Sequence, residues 1–154
     1  MDISVTGIDR AIAALRRITT MGFKPAYDRY YQKHLRATLR QRYLHAAANT
    51  PYAPSSLGTR KRATGVRRGS ANDPGFGIDS GALLREITGE TVGTLRISDS
   101  ILELMSVLPY SIFVQERFET KGPFAPGGVM DLTEDEISPL FDIAAEQIQQ
   151  EWLK

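Results

Sequence analysis

The chain has 154 residues, of which 42% are hydrophobic and 24% are charged, a composition typical of one globular domain. It contains no cysteine, which excludes disulfide bonds, thiolate metal sites and a cysteine nucleophile. The sequence has no apolar run of about 20 residues and no signal-peptide pattern at its N-terminus, so we expect neither a membrane span nor a membrane partner.

Charge is divided unevenly along the chain, although the net charge is only +1. Residues 1–70 contain 14 Lys and Arg against 3 Asp and Glu, which gives +11. Residues 71–154 contain 5 against 15, which gives −10. Such an asymmetry indicates either a charged partner or self-association through unlike surfaces.

Helical periodicity dominates the first third of the sequence. Apolar residues predict a first helix over residues 8–18, with Ile8, Ala11, Ile12, Leu15 and Ile18 on one face. A long second helix is predicted over residues 25–48, beginning at Pro25 and ending before Pro51. Its apolar stripe comprises Tyr27, Tyr31, Leu35, Leu39, Arg42 or Tyr43, and Ala46. Basic residues at intervals of four, three and four predict one continuous basic face, formed by Arg29, Lys33, Arg36 and Arg40.

A segment of about residues 50–78, here named the basic loop, has few apolar residues and many Gly, Ser, Pro and Thr. Long loops of this kind are usually functional or disordered. We expect it to be mobile in the monomer and to order against an adjacent subunit or DNA. Its "GFGIDSG" ending lacks the spacing of a phosphate loop, so its glycines are predicted to serve turn geometry. The residues expected to contact the subunit or DNA are Arg60, Lys61, Arg62, Arg67 and Arg68.

The second half of the sequence predicts short elements and a final helix. Asp79 or Ser80 would cap a short helix that ends at Gly89, with Leu83, Leu84 and Ile87 inward. "TVGTLRIS" and the more apolar "ILELMSV" predict paired antiparallel strands, with the second more buried. The following "PYSIFVQERF" predicts a helix whose apolar face is Tyr110, Phe113, Val114 and Phe118.

The final helix is predicted from a T-x-x-E capping box at Thr133 and Glu136, and Pro139 would either kink it or restart it. It should bury Ile137, Leu140, Phe141, Ala144, Ile148 and Trp152. Its outward, acidic face comprises Glu134, Asp135, Asp142, Glu146 and Glu151. Together these elements predict a single α+β domain, in which an antiparallel sheet of about three to four strands packs against the long N-terminal helix and the C-terminal helix.

Residues that could support catalysis are few. His34 and His45 are 11 residues apart on one predicted helix, about 16 Å of rise, which is too far to share a metal or a proton. We therefore expect no enzymatic activity, no cofactor, no metal and no small-molecule substrate.

The basic residues allow three interpretations: a solvated surface, a nucleic-acid-binding surface, or an assembly surface that meets the acidic half of a neighbour. The near cancellation of +11 and −10 favours assembly, because a dedicated DNA binder has no need to cancel its charge.

Several short motifs in the second half occur in a recognisable order. The sequence "IDSGALLREI … LPYSIFVQERF … GPFAPGGVMDLTEDEI" resembles the virion-morphogenesis proteins of tailed bacteriophages, which act in tail completion or at the neck in head–tail joining. Ser111 stands where that family has a small Ala, and "ERFET" replaces its usual Gly-Thr. The positions that match its motifs are Ser80, Gly81, Leu83, Glu86 and Ile87, then Pro109, Tyr110, Phe113, Val114 and Gln115, then Pro123, Phe124 and Leu132.

This resemblance implies an α+β structural protein without enzymatic activity, forming a ring, commonly a hexamer, as a completion, terminator or connector layer at the head-proximal end of the tail. It implies contacts with copies of itself, with neighbouring neck and tail proteins, and with DNA in the ring lumen. The expected location is the virion, after assembly in the host cytoplasm. The alternative from another class is a small nucleic-acid-binding or packaging accessory protein.

Overall fold

A computed structural model of the chain describes residues 5–52, 73, 75–78 and 81–154. Most of the basic loop lies outside this range, including Arg60, Lys61, Arg62, Arg67 and Arg68. The described elements are α1 (Val5–Thr20), α2 (Lys24–Tyr30), a π-helical turn (Tyr31–Leu35), α3 (Arg36–Asn49), α4 (Ala82–Ile87), β1 (Leu95–Ile97), β2 (Leu102–Leu104), α5 (Ser111–Lys121) and α6 (Glu134–Leu153).

The long helix is the spine of the fold. α2, the π turn and α3 run without a break and are together named the central helix. Its first half forms one hydrophobic cluster with α6 and the β1–β2 hairpin, whereas its second half forms another with α4 and α5. The predicted stripe is confirmed from its second member onward, because Tyr31, Leu35, Leu39, Tyr43 and Ala46 are all buried. Its first member, Tyr27, is half-buried.

Three tyrosine hydroxyls connect the central helix to distant parts of the chain. Tyr30 donates to the Glu136 carbonyl at 2.8 Å, and Tyr31 donates to the Thr88 carbonyl at 2.6 Å. Tyr43 donates to the Gly77 carbonyl at 2.8 Å. Tyr30 and Tyr31 are adjacent yet both buried, because other elements cover the central helix on two sides. Each hydroxyl therefore satisfies a carbonyl while its ring fills the core.

The sheet is smaller than predicted. Within the described residues it contains two antiparallel strands, with Leu95 opposite Leu104 and Ile97 opposite Leu102, and not three or four. Leu95 and Ile97 pack against the core as expected. The second strand is the more buried one, as predicted, because all three residues of β2 are half-buried whereas Arg96 of β1 is exposed. It is shorter than the predicted segment, since Ile101, Met105 and Val107 lie outside it and are exposed. The α+β class is correct, but the fold is mostly helical, since the two described strands contain three residues each.

Two apolar faces differ from the predicted ones. On α5, Val114 and Phe118 are buried, but Tyr110 and Phe113 are exposed. On α6, Ile143 is the buried residue, with Leu140 and Ala144 packed beside it. Of the other predicted core residues of α6, Ile137 is half-buried. The remaining three are exposed by 67%, 36% and 49% at Phe141, Ile148 and Trp152. In both helices, fewer apolar residues pack against the central helix than the sequence pattern predicts.

Helix ends follow the predicted chemistry in one case and differ in another. The capping box of α6 is present, and the helix continues through Pro139 to Leu153 without restarting. The N-cap position of α4 is Gly81, which has φ of 74°, and not Asp79 or Ser80, which lie outside the described residues. Left-handed backbone at this position suits glycine.

The end of the basic loop is anchored to the core. Phe76 packs edge-to-face against Phe118 at 5.8 Å between ring centroids, and Ile78 contacts the same cluster. The Phe76 amide donates to the Ala47 carbonyl at 2.8 Å, so the chain returns directly onto the end of α3. Gly75 and Gly77 have φ of 113° and 77°, which confirms the predicted role of these glycines in turn geometry.

Candidate assembly surface

A buried arginine fixes the segment that leads into α6. Arg42 donates from Nε to the Val129 carbonyl at 2.9 Å and from Nη2 to the carbonyls of Asp131 at 2.7 Å and Gly128 at 3.2 Å. Its Nη1 contacts both carboxylate oxygens of Glu136, at 3.0 and 3.2 Å. The guanidinium thus satisfies its donors and holds residues 128–131 in one conformation.

The contact with Arg42 lowers the pKa of Glu136. Burial raises the pKa of its carboxyl, but hydrogen bonds from Thr133 and Arg42, together with the positive charge of Arg42, outweigh that effect and hold the pKa below its ordinary value. The carboxylate also accepts a hydrogen bond from the Thr133 amide at 2.8 Å, which completes the capping box. One charged pair therefore connects the start of α6 to the central helix.

A buried glutamate fixes a second segment. Glu86 on α4 is only 4% exposed. Its Oε2 accepts hydrogen bonds from the Ser106 hydroxyl, from the Val107 amide at 3.1 Å and from the Leu108 amide at 3.4 Å. Glu86 therefore shapes the connection between β2 and α5.

The two fixed segments and α5 enclose a groove of about 750 Å³, here named the acidic groove. It is lined by apolar side chains from Met105, Ile112 and Met130, each at least 41% exposed, and by three carboxylates, and its lining contains no Lys or Arg. The carboxylates have no ion-pair partner among the described residues and belong to Glu116, Glu119 and Asp131. An apolar lining beside unpaired carboxylates suits a basic, amphipathic partner.

A second uncovered surface lies on α1. Ala14 is buried, and Ala11 and Ile18 are partly covered. The neighbouring stripe of larger side chains, named the α1 stripe, remains exposed by 54%, 43% and 53% at Ile8, Ile12 and Leu15. Single exposed apolar residues are ordinary, but three on one helix face form a surface that favours a partner.

The predicted basic face contacts the chain's own carboxylates. Arg29 pairs with Glu146 on α6 at 2.6 Å, whereas Arg36 and Arg40 approach Glu90, at 3.1 and 3.7 Å. Lys33 is exposed and has no ion-pair partner among the described residues. The face is thus divided between two intramolecular contacts, and these exposed pairs are each worth about 0–1 kcal/mol.

The predicted acidic face is only partly available. Glu146 is engaged with Arg29, and Glu151 pairs with Lys154. Glu134, Asp135 and Asp142 are exposed. Since α2 and α6 are in contact, the structure brings Arg29 of the basic face and Glu146 of the acidic face together within one chain.

The histidines have structural surroundings. His34 stacks on Tyr30 at 6.2 Å between ring centroids, and His45 lies edge-to-face with Phe124 at 5.7 Å. In the described part of the chain, no three His, Cys, Asp or Glu side chains are grouped so as to hold a metal. The described helices also include none that is both long and apolar enough to cross a membrane.

Sequence reasoning missed the acidic groove and the exposure of the α1 stripe. The groove combines residues from three elements that are separated along the chain, so no local pattern marks it. The α1 stripe carried no such signal either, because an apolar stripe at helical spacing is the same whether or not another element covers it.

Comparison of the chain with protein-family models, with curated proteins and with solved structures finds no match. The roles drawn from the resemblance to phage morphogenesis proteins therefore remain predictions, which the geometry of this chain must support.

Proposed function

We propose that this protein is a structural subunit that assembles with copies of itself, as a ring at the neck or head-proximal end of the tail of a tailed phage. The single observation that carries the proposal is the uncovered apolar surface of α1 and α6. Ile12 and Leu15 on α1, with Phe141 and Trp152 on α6, are between 43% and 67% exposed. Exposed apolar surface of this extent is typical of interaction sites.

Two further observations support self-assembly over catalysis. The basic and acidic halves of the chain offer unlike charged surfaces, and such heterologous contacts generate rings when the rotation closes. The acidic groove is lined by methionine, isoleucine and unpaired carboxylates, a combination that suits a protein segment better than it suits a reacting small molecule. The neighbouring layers of the neck and the DNA in its lumen are the further partners of this proposal.

The experiment is size-exclusion chromatography with light scattering on the purified chain, across protein concentration and at low and high salt. We expect a discrete oligomer of the 17.1 kDa chain, with a mass that is a fixed multiple. In the phage that encodes it, loss of the gene should yield DNA-filled heads and tails that do not join, or tails of unstable length.

The nucleic-acid alternative has an opposite signature. A DNA-binding accessory protein would bind duplex DNA as a monomer, and its log affinity would fall with log salt by about 0.9 per phosphate neutralised. A monomer with tight, salt-steep DNA binding would overturn the structural proposal.

A further inference from the structure

The first turns of α1 project away from the rest of the fold. Gln147 Nε2 donates to the Gly22 carbonyl at 3.0 Å, and Arg17 Nη2 donates to the Glu151 carbonyl at 3.4 Å, so α1 and α6 run antiparallel. At 1.5 Å per residue, Ile8 lies about 14 Å further along α1 than Arg17. Helix α6 continues only from Glu151 to Leu153. The start of the α1 stripe therefore extends past the end of α6.

The acidic groove lies at the opposite end of α6. Asp131, which lines it, comes two residues before the N-cap Thr133. The 20 residues of α6 span about 30 Å. Consequently the first turns of α1 cannot reach the groove of their own chain, and only a second copy can bring the two surfaces together.

We infer that the first turns of α1 in one copy dock into the acidic groove of a second copy. This inference rests on the proposed self-assembly and names the surfaces that carry it. The α1 stripe supplies Ile8, Ile12 and Leu15 to a groove lined by Met105, Ile112 and Met130. A helix placed in an apolar groove in this way presents anchors at intervals of four and three residues, which the stripe provides.

Charge selects this arrangement. α1 has three arginines against one aspartate. The groove has no basic residue in its lining, and its three carboxylates have no ion-pair partner among the residues that the structure describes. Complementary charges steer association and disfavour wrong partners. At about 100° per residue, Arg16 lies beside the stripe, whereas Arg10 and Arg17 lie on the opposite face of α1. We therefore expect Arg16 to meet the groove carboxylates, while the net positive charge of α1 steers the helix toward the groove.

The contact joins two different surfaces, so each copy retains one free stripe and one free groove after the first contact forms. Contacts of this type add further copies in the same direction. They give a ring if the rotation between copies closes, and a filament if it does not. In a ring, each copy would therefore place its α1 stripe in the acidic groove of the next copy.

The test uses two full-length variants that each lose one surface. Ile12→Glu with Leu15→Glu alters the stripe, and Ile112→Glu with Met130→Glu alters the groove. All four side chains are at least 41% exposed, so the fold should be retained, which circular dichroism and thermal unfolding check. Because unpaired charge would enter an apolar contact, the dissociation constant for self-association should rise at least about tenfold in each variant.

Mixing the two variants gives the decisive result. Each retains the surface that the other lacks, so the mixture should form a dimer and nothing larger, whereas neither variant alone should associate. Val92→Glu is the matched control, because Val92 is fully exposed and lies neither on α1 nor in the lining of the groove, and it should assemble as the wild type does.

A second measurement does not depend on these substitutions. The chain has no cysteine, so Ile12→Cys and Met130→Cys introduce the only thiols. A short bismaleimide should cross-link a mixture of the two single variants into a heterodimer more readily than it cross-links either one alone.

The outcomes separate the two proposals. A wild-type chain that remains monomeric overturns self-assembly and this inference with it. A wild type that assembles, with stripe and groove variants that assemble equally well and no heterodimer in the mixture, overturns this inference alone. Loss of association in the stripe variant but not in the groove variant would indicate an α1–α1 contact. If the wild-type chain binds anionic lipid vesicles and the stripe variant does not, while both self-associate equally well, the stripe would be assigned to a membrane surface instead.

Discussion

Two buried charged residues, Arg42 and Glu86, organise the interior through hydrogen bonds to segments that are distant in the sequence. Arg42 connects the central helix to residues 128–136, and Glu86 connects α4 to residues 106–108. Both are under 9% exposed. A buried charge persists only when its partners satisfy it, so each of these residues enforces the conformation of the segment it binds.

Replacing Arg42 with Met tests this role. Methionine is shorter than arginine and has no N–H group, so three backbone carbonyls and the Glu136 carboxylate lose their donor. We expect the free energy of unfolding to fall by about 3–5 kcal/mol, as is usual when one partner of a buried pair is removed. Urea denaturation measures the change, and Arg40→Met, on an exposed part of the same helix, is the control. A loss below about 1 kcal/mol would show that residues 128–131 do not depend on Arg42.

Glu136 should contribute a pH dependence to stability. Burial raises the pKa of its carboxyl in the folded chain, but the hydrogen bonds from Thr133 and Arg42 and the charge of Arg42 lower it by more, so the pKa lies below its ordinary value. Its stabilising contribution is therefore complete above the unfolded pKa of about 4.3 and is lost as pH falls through the lower folded pKa. Glu136→Gln should flatten the decline in unfolding free energy below about pH 4.5, whereas Glu134→Gln should leave that decline unchanged. Equal slopes for all three proteins would contradict the assignment.

At the scale of elements, turns decide how the helices meet. Gly77 has φ of 77°, and a Cβ there would lie 2.8 Å from Val114 Cγ1 and 3.0 Å from Tyr43 Oη. Gly93 has a similar φ of 85°, but a Cβ there would meet nothing within 4 Å. Gly77 is required both by its left-handed backbone and by the close packing around it, whereas Gly93 is required by its left-handed backbone alone.

This pair permits a separation of the two effects. Gly93→Ala should lower the free energy of unfolding by about 1–2 kcal/mol, the usual consequence of left-handed backbone in a residue with a Cβ. Gly77→Ala should lower the free energy of unfolding by about 1–3 kcal/mol more than Gly93→Ala does, because the added methyl group overpacks the contact between α3 and α5. Thermal unfolding of both variants measures the difference. Equal losses would mean that the core near Gly77 relaxes around the added methyl.

At the scale of the whole molecule, part of the charge asymmetry is neutralised inside one chain. Arg29, Arg36 and Arg40 contact Glu146 or Glu90, so reversing all of them would disturb the fold as well as any interface. Lys33 lies between them without an ion-pair partner among the described residues. It is the position where fold and interface can be tested separately.

Lys33→Glu should leave the free energy of unfolding within about 0.5 kcal/mol of the wild type. If the basic face contacts a second copy, this reversal should weaken self-association at low salt and have less effect at high salt, because exposed charges more than about 10 Å apart are screened at 0.1 M. Light scattering at both salt concentrations measures this, with Gln32→Glu, also exposed on the π turn, as the control. An oligomer unaffected by Lys33→Glu at low salt would remove the basic face from the interface.

The sequence by itself determined the elements whose signals are local. The sequence predicted the first helix, the central helix, the capping box at Thr133 and the β1–β2 hairpin from spacing and from residues within a few positions of each other. The ends of the central helix also followed to within one residue, since Pro25 and Pro51 act on their own backbone. The α+β class was within reach for the same reason.

Only the tertiary structure decided which side of each helix is covered. Ala14 rather than Leu15, and Ile143 rather than Phe141, face the interior, because burial depends on elements far away in sequence. The same applies to Glu86, whose partners lie 20 to 22 residues away, and to the acidic groove. Helical periodicity identifies an apolar face but carries no information about whether the element that covers it belongs to the same chain. That information resides in the packing, which is why the exposed stripe of α1 became visible only in the folded molecule.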